Sequence, residues 1–413
     1  MRKFMFGCGI KTFFLLAFGL FAYNKSDAQP EGTRSIRIDP SSALGGTAYE
    51  VFEEVKYIPL ETDRKSLFGK IDKLWVTEKH FIIWDRNTNS ILIFLVNGRF
   101  HARISGGDPS NETGSYLSSI CVDNFNSEIV FRKGRSGILH YNFDGKKLYE
   151  VKDMPLLANW YIFPDRRIVG YQYSVHPGFY PDSTAYELTF YKKGKAYLQA
   201  LPYNTKKTPL TSNDMIYPDH SPFYQTDQDT LVLFTRPYDN AVYGVTPSGV
   251  NTLFRLILPL ANALPEDFSI SDKYRGARMK FIEAHPEIAY NISHTYLVGQ
   301  YLFLKLAWFG YEYNKYSSFM YDLRTGRLIA VQRVISDSSS QFLPIATNST
   351  EFMNDNFFTC DGKYLYTAYS SLSMFQEKES TQDKQIHYDK DMQRYFSLEN
   401  KKSNPVIVRI KPR

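Results

Sequence analysis

Eight histidines are the first residues to ask about catalysis: His80, His101, His140, His176, His220, His285, His294 and His387. None stands in a His-x-x-x-His or His-Glu-x-x-His arrangement, the spacings that put two imidazoles on one helix face around zinc. His285 and His294 flank one segment, but their separation suits no common zinc pattern. There is no Gly-x-Ser-x-Gly sequence to build a nucleophile elbow. Asp85, Asn87 and Asn89 alternate oxygen side chains, yet the loop lacks the Gly and distal Glu of an EF-hand. Asp and Asn at such a place form turns. Acidic residues are scattered, with no pair fixed at the separation glycoside cleavage requires. No catalytic residue, no metal site and no cofactor is expected.

What remains is recognition chemistry. Arg86, Arg132, Arg135 and Arg236 can each hold a carboxylate or sulfate in a forked pair. Tyr173, Tyr238, Trp308 and Tyr311 offer flat apolar faces with a polar tip, suited to sugars or peptides. Asp85 and His176 complete the set. Residues 308–316 are the densest aromatic run outside a strand, able to line a pocket or to pack under a neighbouring helix. These residues lie far apart in the chain. They act together only if the fold repeats and gathers the same loop of each repeat at one end.

The chain does repeat. Residues 80–84 form a short apolar run, then a polar turn, then a second run at 91–95, then Asn97-Gly98. Asn-Gly is a strong hairpin signal because both residues tolerate positive φ. The same unit recurs, and its second strands begin near 81, 129, 168, 231, 302 and 364. Six four-stranded units arranged radially make a β-propeller. A seven-bladed ring and an open sandwich are the alternatives. Two stretches break the strand pattern. Residues 259–293 carry a helical pattern from Lys273 to His285, ended near Pro286, and residues 373–403 read as helix or ordered loop. Without them the span 60–410 leaves about 48 residues per blade, near the expected repeat. Residues 51–60 precede the first full blade and are expected to join the last one, closing the ring and removing an edge. The fold class is therefore all-β, a six-bladed propeller with two largely helical or loop insertions.

Composition agrees. Of 413 residues, 43% are hydrophobic and 16% aromatic, with 31 Tyr and 31 Phe, which favour pleated, half-buried surfaces. Residues 1–28 read as a secretory signal: Arg2, Lys3 and Lys11 precede the apolar run 12–22, and Ser26 and Ala28 suit cleavage before Gln29. The apolar run is too short to span a bilayer comfortably, since a spanning helix takes roughly 20 residues; an uncleaved N-terminal anchor is the alternative. Residues 29–50 are then a lead segment and 51–413 one propeller domain. Cleavage removes four basic residues and one acid, leaving 45 against 42, or +3. So balanced a charge gives no basis for binding nucleic acid. No later segment is long and apolar enough to cross a membrane. Cys121 and Cys360 remain, and two thiols so far apart make no disulfide framework; they read as small buried apolar residues.

Several segments carry a family resemblance: Tyr57-Ile-Pro-Leu-Glu-Thr62, residues 67–74, Ile82-Ile-Trp-Asp-Arg86 with Ser90-Ile-Leu-Ile-Phe94, the Gly106-Gly107 loop before Tyr116, and Asn404-Pro-Val-Ile-Val408. On these the chain resembles the bacterial six-bladed β-propeller family, related in architecture to NHL-type and TolB-like propellers, over essentially its whole mature length. The resemblance implies an exported protein of the envelope or exterior. Many members carry a lipid-modified Cys after the signal; here Cys8 precedes the apolar run. A shared fold does not transfer a function. The expectation is an exported, monomeric, non-catalytic binding or scaffold propeller. Its partner would be a glycan, peptide or protein at the loop face, in the periplasm or outside the cell. An enzyme on the same fold, a lyase or hydrolase acting on a glycan or lactone, is the alternative.

Overall fold

The computed structural model describes residues 32–107, 116–133, 137–152, 157, 159–172, 184–204, 214, 221–309, 317–345, 357 and 359–413. Residues 1–28, Arg135, Tyr173, His176 and Tyr311 lie outside the described residues. Three strands precede the ring: β1 (Arg34–Arg37), β2 (Leu44–Thr47) and β3 (Phe52–Pro59), with the single helical turn α1 (Ala48–Val51) before β3. Blade 1 is β4 (Lys73–Val76), β5 (His80–Asp85), β6 (Ser90–Leu95) and β7 (Phe100–Ser105). Blade 2 is β8 (Leu117–Asp123), β9 (Glu128–Lys133), β10 (Ile138–Asn142) and β11 (Lys147–Val151). Blade 3 is β12 (Asn159–Ile162), β13 (Ile168–Tyr171), β14 (Thr184–Lys192) and β15 (Lys195–Asn204). Blade 4 is β16 (Phe223–Gln225), β17 (Val232–Phe234), β18 (Ala241–Thr246) and β19 (Gly249–Ile257). Blade 5 is β20 (Asn291–Val298), β21 (Tyr301–Ala307), β22 (Ser318–Asp322) and β23 (Leu328–Ile335). Blade 6 is β24 (Thr359–Cys360), β25 (Leu365–Tyr369) and β26 (Val406–Pro412), with β3 as its outermost strand.

The architecture is thus the expected six-bladed propeller, and every second strand begins within one residue of its expected start. The apolar pattern explains why. A middle strand is buried on both faces, because each blade is sandwiched between two others. Phe81 and Ile83 of β5 pack with Ile58, Tyr366 and Ile407 of blade 6. Ile82 and Trp84 pack with Ile129 and Phe131 of blade 2. Continuous apolar runs mark the middle strands, whereas outer strands such as β11 are largely exposed. The first strands of blades 2 and 3, 4 and 5, 5 and 6, and 6 and 1 meet one another, so these strands surround the axis.

Closure occurs as expected. β3 pairs antiparallel with β26 from Pro59 opposite Val406 to Val55 opposite Ile410. The lead segment does more than lead. β1 adds parallel to β19 and β2 parallel to β23, making blades 4 and 5 five-stranded. Residues 34–59 therefore run along the outer edges of three successive blades.

Gly98 ties blade 1 to this closing strand. It has φ +85 in the hairpin, and its carbonyl accepts from Glu61 N at 2.8 Å. A Cβ at Gly98 would lie 2.1 Å from the Pro59 carbonyl oxygen. Left-handed backbone costs a non-glycine residue roughly 1–2 kcal/mol, and backbone on both sides of the clash cannot swing away. Gly98→Ala is expected to lower unfolding free energy by about 2 kcal/mol or more, read as an earlier urea midpoint at unchanged slope.

Both insertions behave as read. Residues 258–290 join blades 4 and 5 and contain α2 (Arg278–Ala284). The helix starts later than Lys273 because Gly276, at φ +72, and Ala277 interrupt it. Residues 370–405 join β25 to β26 and contain α3 (Ser371–Ser380) and α4 (Lys390–Leu398), capped by the side chains of Ser370 and Asp389. Antiparallel alternation places both insertions at one end of the ring, where second-to-third-strand and inter-blade connections emerge. The other end carries tight turns such as 96–99, 193–194 and 247–248.

Candidate functional site

The six first strands enclose an axial cavity of about 110 Å³. Its wall is mixed, with Trp75, Phe125, Tyr161, Tyr224 and Tyr296 beside the polar Asn124, Ser221, Gln225, His294 and Thr359. Two of the strands bulge. β8 loses register between Ser118 and Cys121, and β20 between Ser293 and Tyr296. Ser119 (φ +51) and His294 (φ +46) take left-handed backbone inside these bulges. The two blades concerned, 2 and 5, face each other across the ring. Bulges re-aim side chains, and strained non-glycine backbone persists only where surroundings hold it. Trp160 does part of that work, its Nε1 donating to Ser119 O at 2.8 Å.

Lys73 brings a cation to this cavity. Its Nζ lies 5.6 Å from the centre of the Trp75 ring and makes no ion pair among the described residues. Burial pushes its amine down to about 8, and nearby Arg86 acts in the same direction. Asp72 also lines the cavity, but its carboxylate is engaged: Arg86 N donates to it at 2.8 Å and Lys70 Nζ stands at 3.8 Å. Burial pushes the Cys121 thiol up to about 12 and raises the Tyr161 phenol, so neither ionises at neutral pH. Cys121 and Cys360 are both free and buried.

The sequence signal for Lys73 was an alternation. Leu74 and Val76 enter the apolar core towards blade 6, while Lys73 and Trp75 point the other way. A lone Lys at the start of a short apolar strand reads from sequence as a turn flank. Only ring closure turns that side into the axis.

The described loop-face residues lie at the expected end, spread over blades 1, 2, 4 and 5. Arg86 is exposed, with its guanidinium 4.7 Å over the Trp84 ring. Arg132 is buried near the end of β9. Arg236 spends its donors inside the protein: Nε to Asp239 at 2.7 Å, Nη1 to Glu187 at 3.0 Å and Nη2 to Tyr243 OH at 3.1 Å. Burial raises the Glu187 carboxyl, with Arg236 working against that. Tyr238, at φ +61, turns into a small core with Phe268, Tyr274 and Ile282 of the insertion, and its hydroxyl donates to Asp214 O. Trp308 is half-buried against the main core. None of these five lines the axial cavity. Asp85 is a turn former: its carboxylate accepts from Gly69 N at 2.9 Å, Asn87 N at 3.0 Å and Thr88 Oγ1 at 2.7 Å.

Among solved structures, the chain is similar to BF0058 of Bacteroides fragilis NCTC 9343, described as an exported protein. The identity is 15% and the TM-score 0.66, covering 92% of this chain and 100% of that one. It is also similar to a member of the DUF4221 family from Bacteroides vulgatus, at 11% identity and a TM-score of 0.45, covering 88% of this chain and 97% of that one. The first of these shows the shared fold. No curated protein matches the chain. Residues 39–411 match the family described as "Domain of unknown function (DUF4934)".

Proposed function

The chain belongs to the DUF4934 family, and we propose that it is an exported, non-catalytic binding or scaffold propeller that takes a glycan, peptide or protein partner on its long-loop face. One observation carries this reading. Both helical insertions sit at one end of the ring, whereas tight turns form the other. Folds that bind commonly build the site from variable connections on a rigid frame. Arg86, exposed over Trp84, gives that face a cation on a flat apolar base, a pairing suited to an acidic sugar or a carboxylate-bearing peptide. Among the described residues no helix is long and apolar enough to cross a membrane. Export by the signal at residues 1–28, cleaved after Ala28, and a monomeric state belong to the same proposal.

The test uses the mature protein on arrays of acidic and neutral glycans and of peptides. Saturable binding that drops at least tenfold in Arg86→Ala, with the melting temperature kept, supports the reading. Turnover of a glycan or lactone, lost on changing one loop-face residue, overturns it in favour of a lyase or hydrolase.

A further inference from the structure

The axial cavity has no part in that reading, and its chemistry is different. It holds one ammonium group, Lys73, with no ion pair among the described residues. Its single lining carboxylate, Asp72, is already held by Arg86 N and stands near Lys70. A charge enclosed by protein is costly unless it is paired. The downward push on the Lys73 amine, to about 8, is that cost expressed as a proton affinity. At neutral pH the group is still mainly an ammonium, and an anion beside it would offset the cost.

The rest of the wall narrows the class of anion. A cavity of about 110 Å³ exceeds several-fold the roughly 10–15 Å³ that admits a single water, so it has room for a small organic molecule. Trp75, Tyr161, Tyr224 and Tyr296 offer aromatic surface. One lysine is a single point charge, which matches a monoanionic carboxylate; a phosphate dianion would be better matched by a guanidinium fork or a second cation. Asn124, Ser221, Gln225 and Thr359 supply neutral polar groups.

We propose that the axial cavity is a binding site for a small organic carboxylate, its anionic end paired with Lys73 and its apolar body against the aromatic wall. The site does not depend on what the loop face binds. Two sources share this chemistry: a free small acid, and the C-terminal carboxylate of a peptide threaded into the channel.

Calorimetry on the mature protein at pH 7 separates these. The probes are benzoate, its neutral isostere benzamide, and a tetrapeptide ending in Phe, as free acid and as C-terminal amide. The free acid of at least one pair should bind saturably and at least tenfold more tightly than its neutral counterpart. Lys73→Gln should abolish that preference. Benzoate preference assigns a small acid, and preference confined to the peptide acid assigns a chain terminus. Should Lys73→Gln not fold, the wild-type protein gives the answer by acetic anhydride labelling and peptide mass analysis. The preferred acid should slow acetylation of Lys73 several-fold and leave exposed Lys70 unchanged. Equal affinity for acid and neutral forms, no binding by either acid, or unprotected Lys73 each overturns the proposal.

Discussion

Tyr57→Ala is expected to destabilise the whole ring by about 4 kcal/mol, the cost of truncating a buried aromatic in a close-packed core. Tyr57 is fully buried on β3, the strand that closes the ring. Its hydroxyl donates to the carbonyls of Leu343 and Pro344, at 3.1 and 3.0 Å. It therefore joins the closing strand to the connection that leaves blade 5. Burial holds the phenol far above its ordinary range, so it stays a neutral donor at any working pH. Removing the ring leaves a cavity beside the main core and two carbonyls short of a donor. Tyr57→Phe separates the two effects: it keeps the volume and should cost only about 1–2 kcal/mol. The loss should be global, since an opened ring exposes the β26 edge and uncouples blade 6 from blade 1. Chemical denaturation with far-UV dichroism and tryptophan fluorescence reads it. A change below about 1 kcal/mol in Tyr57→Ala would show that closure does not depend on this residue.

Arg278→Met should act locally and strongly. Arg278 is a fully buried arginine in the insertion between blades 4 and 5. Its Nη1 stands 3.6 Å from the buried Asp214 carboxylate, and its Nε and Nη2 donate to the carbonyls of Phe268 at 2.9 Å and Ser271 at 3.1 Å. Burial works against the guanidinium charge and Asp214 works for it. Asp214 is also held by Gly276 N at 2.6 Å and Arg278 N at 3.1 Å, so one acid fixes the start of α2. Deleting one partner of a buried pair costs about 3–5 kcal/mol, because the other charge stays buried and unmatched. Phe268, Tyr274 and Ile282 of the insertion form a small core around Tyr238 of the blade 4 loop, apart from the blade cores. The cost therefore falls on its opening rather than on the ring. At 1.4 kcal/mol per tenfold, the open population should rise more than a hundredfold. Limited proteolysis within residues 259–290 should accelerate accordingly, since cleavage tracks that population when opening is fast. The dichroism of the ring should hardly change. Adding Asp214→Asn should recover part of the loss by removing the stranded charge. If the double variant is no better than the single one, the ion pair is not what holds the insertion.

How much of this was legible in the chain follows from what each signal reports. Alternation and continuous apolar runs report burial on one or both faces of a strand. That is why β5 and β6 were readable, and why six such units implied a ring. The closing role of residues 51–60 was readable too, because an open ring leaves a strand without a neighbour. β1 and β2 were not. Each is four residues long, with little apolar content, and joins its blade through backbone pairing that leaves no mark on side-chain choice.

The site shows the same division more sharply. The chain alone placed Arg86, Arg132, Arg236, Tyr238 and Trp308 at one end of the ring, because loop position follows from strand order. It could not assign their partners. Arg236 meets Glu187, 49 residues away, and Tyr238 meets the backbone of Asp214, 24 residues away. Those meetings depend on how neighbouring blades and an insertion pack, and they engage both side chains within the protein. Lys73 went the other way: an unremarkable lysine in the sequence became the cation of an axial cavity once six first strands closed around it. Six blades, the closing strand and the two insertions are legible in the order of residues, since these follow from the local periodicity of burial. Which charges are paired, and which one faces the channel, emerges only on folding, since pairing is a property of neighbours that the chain order does not record.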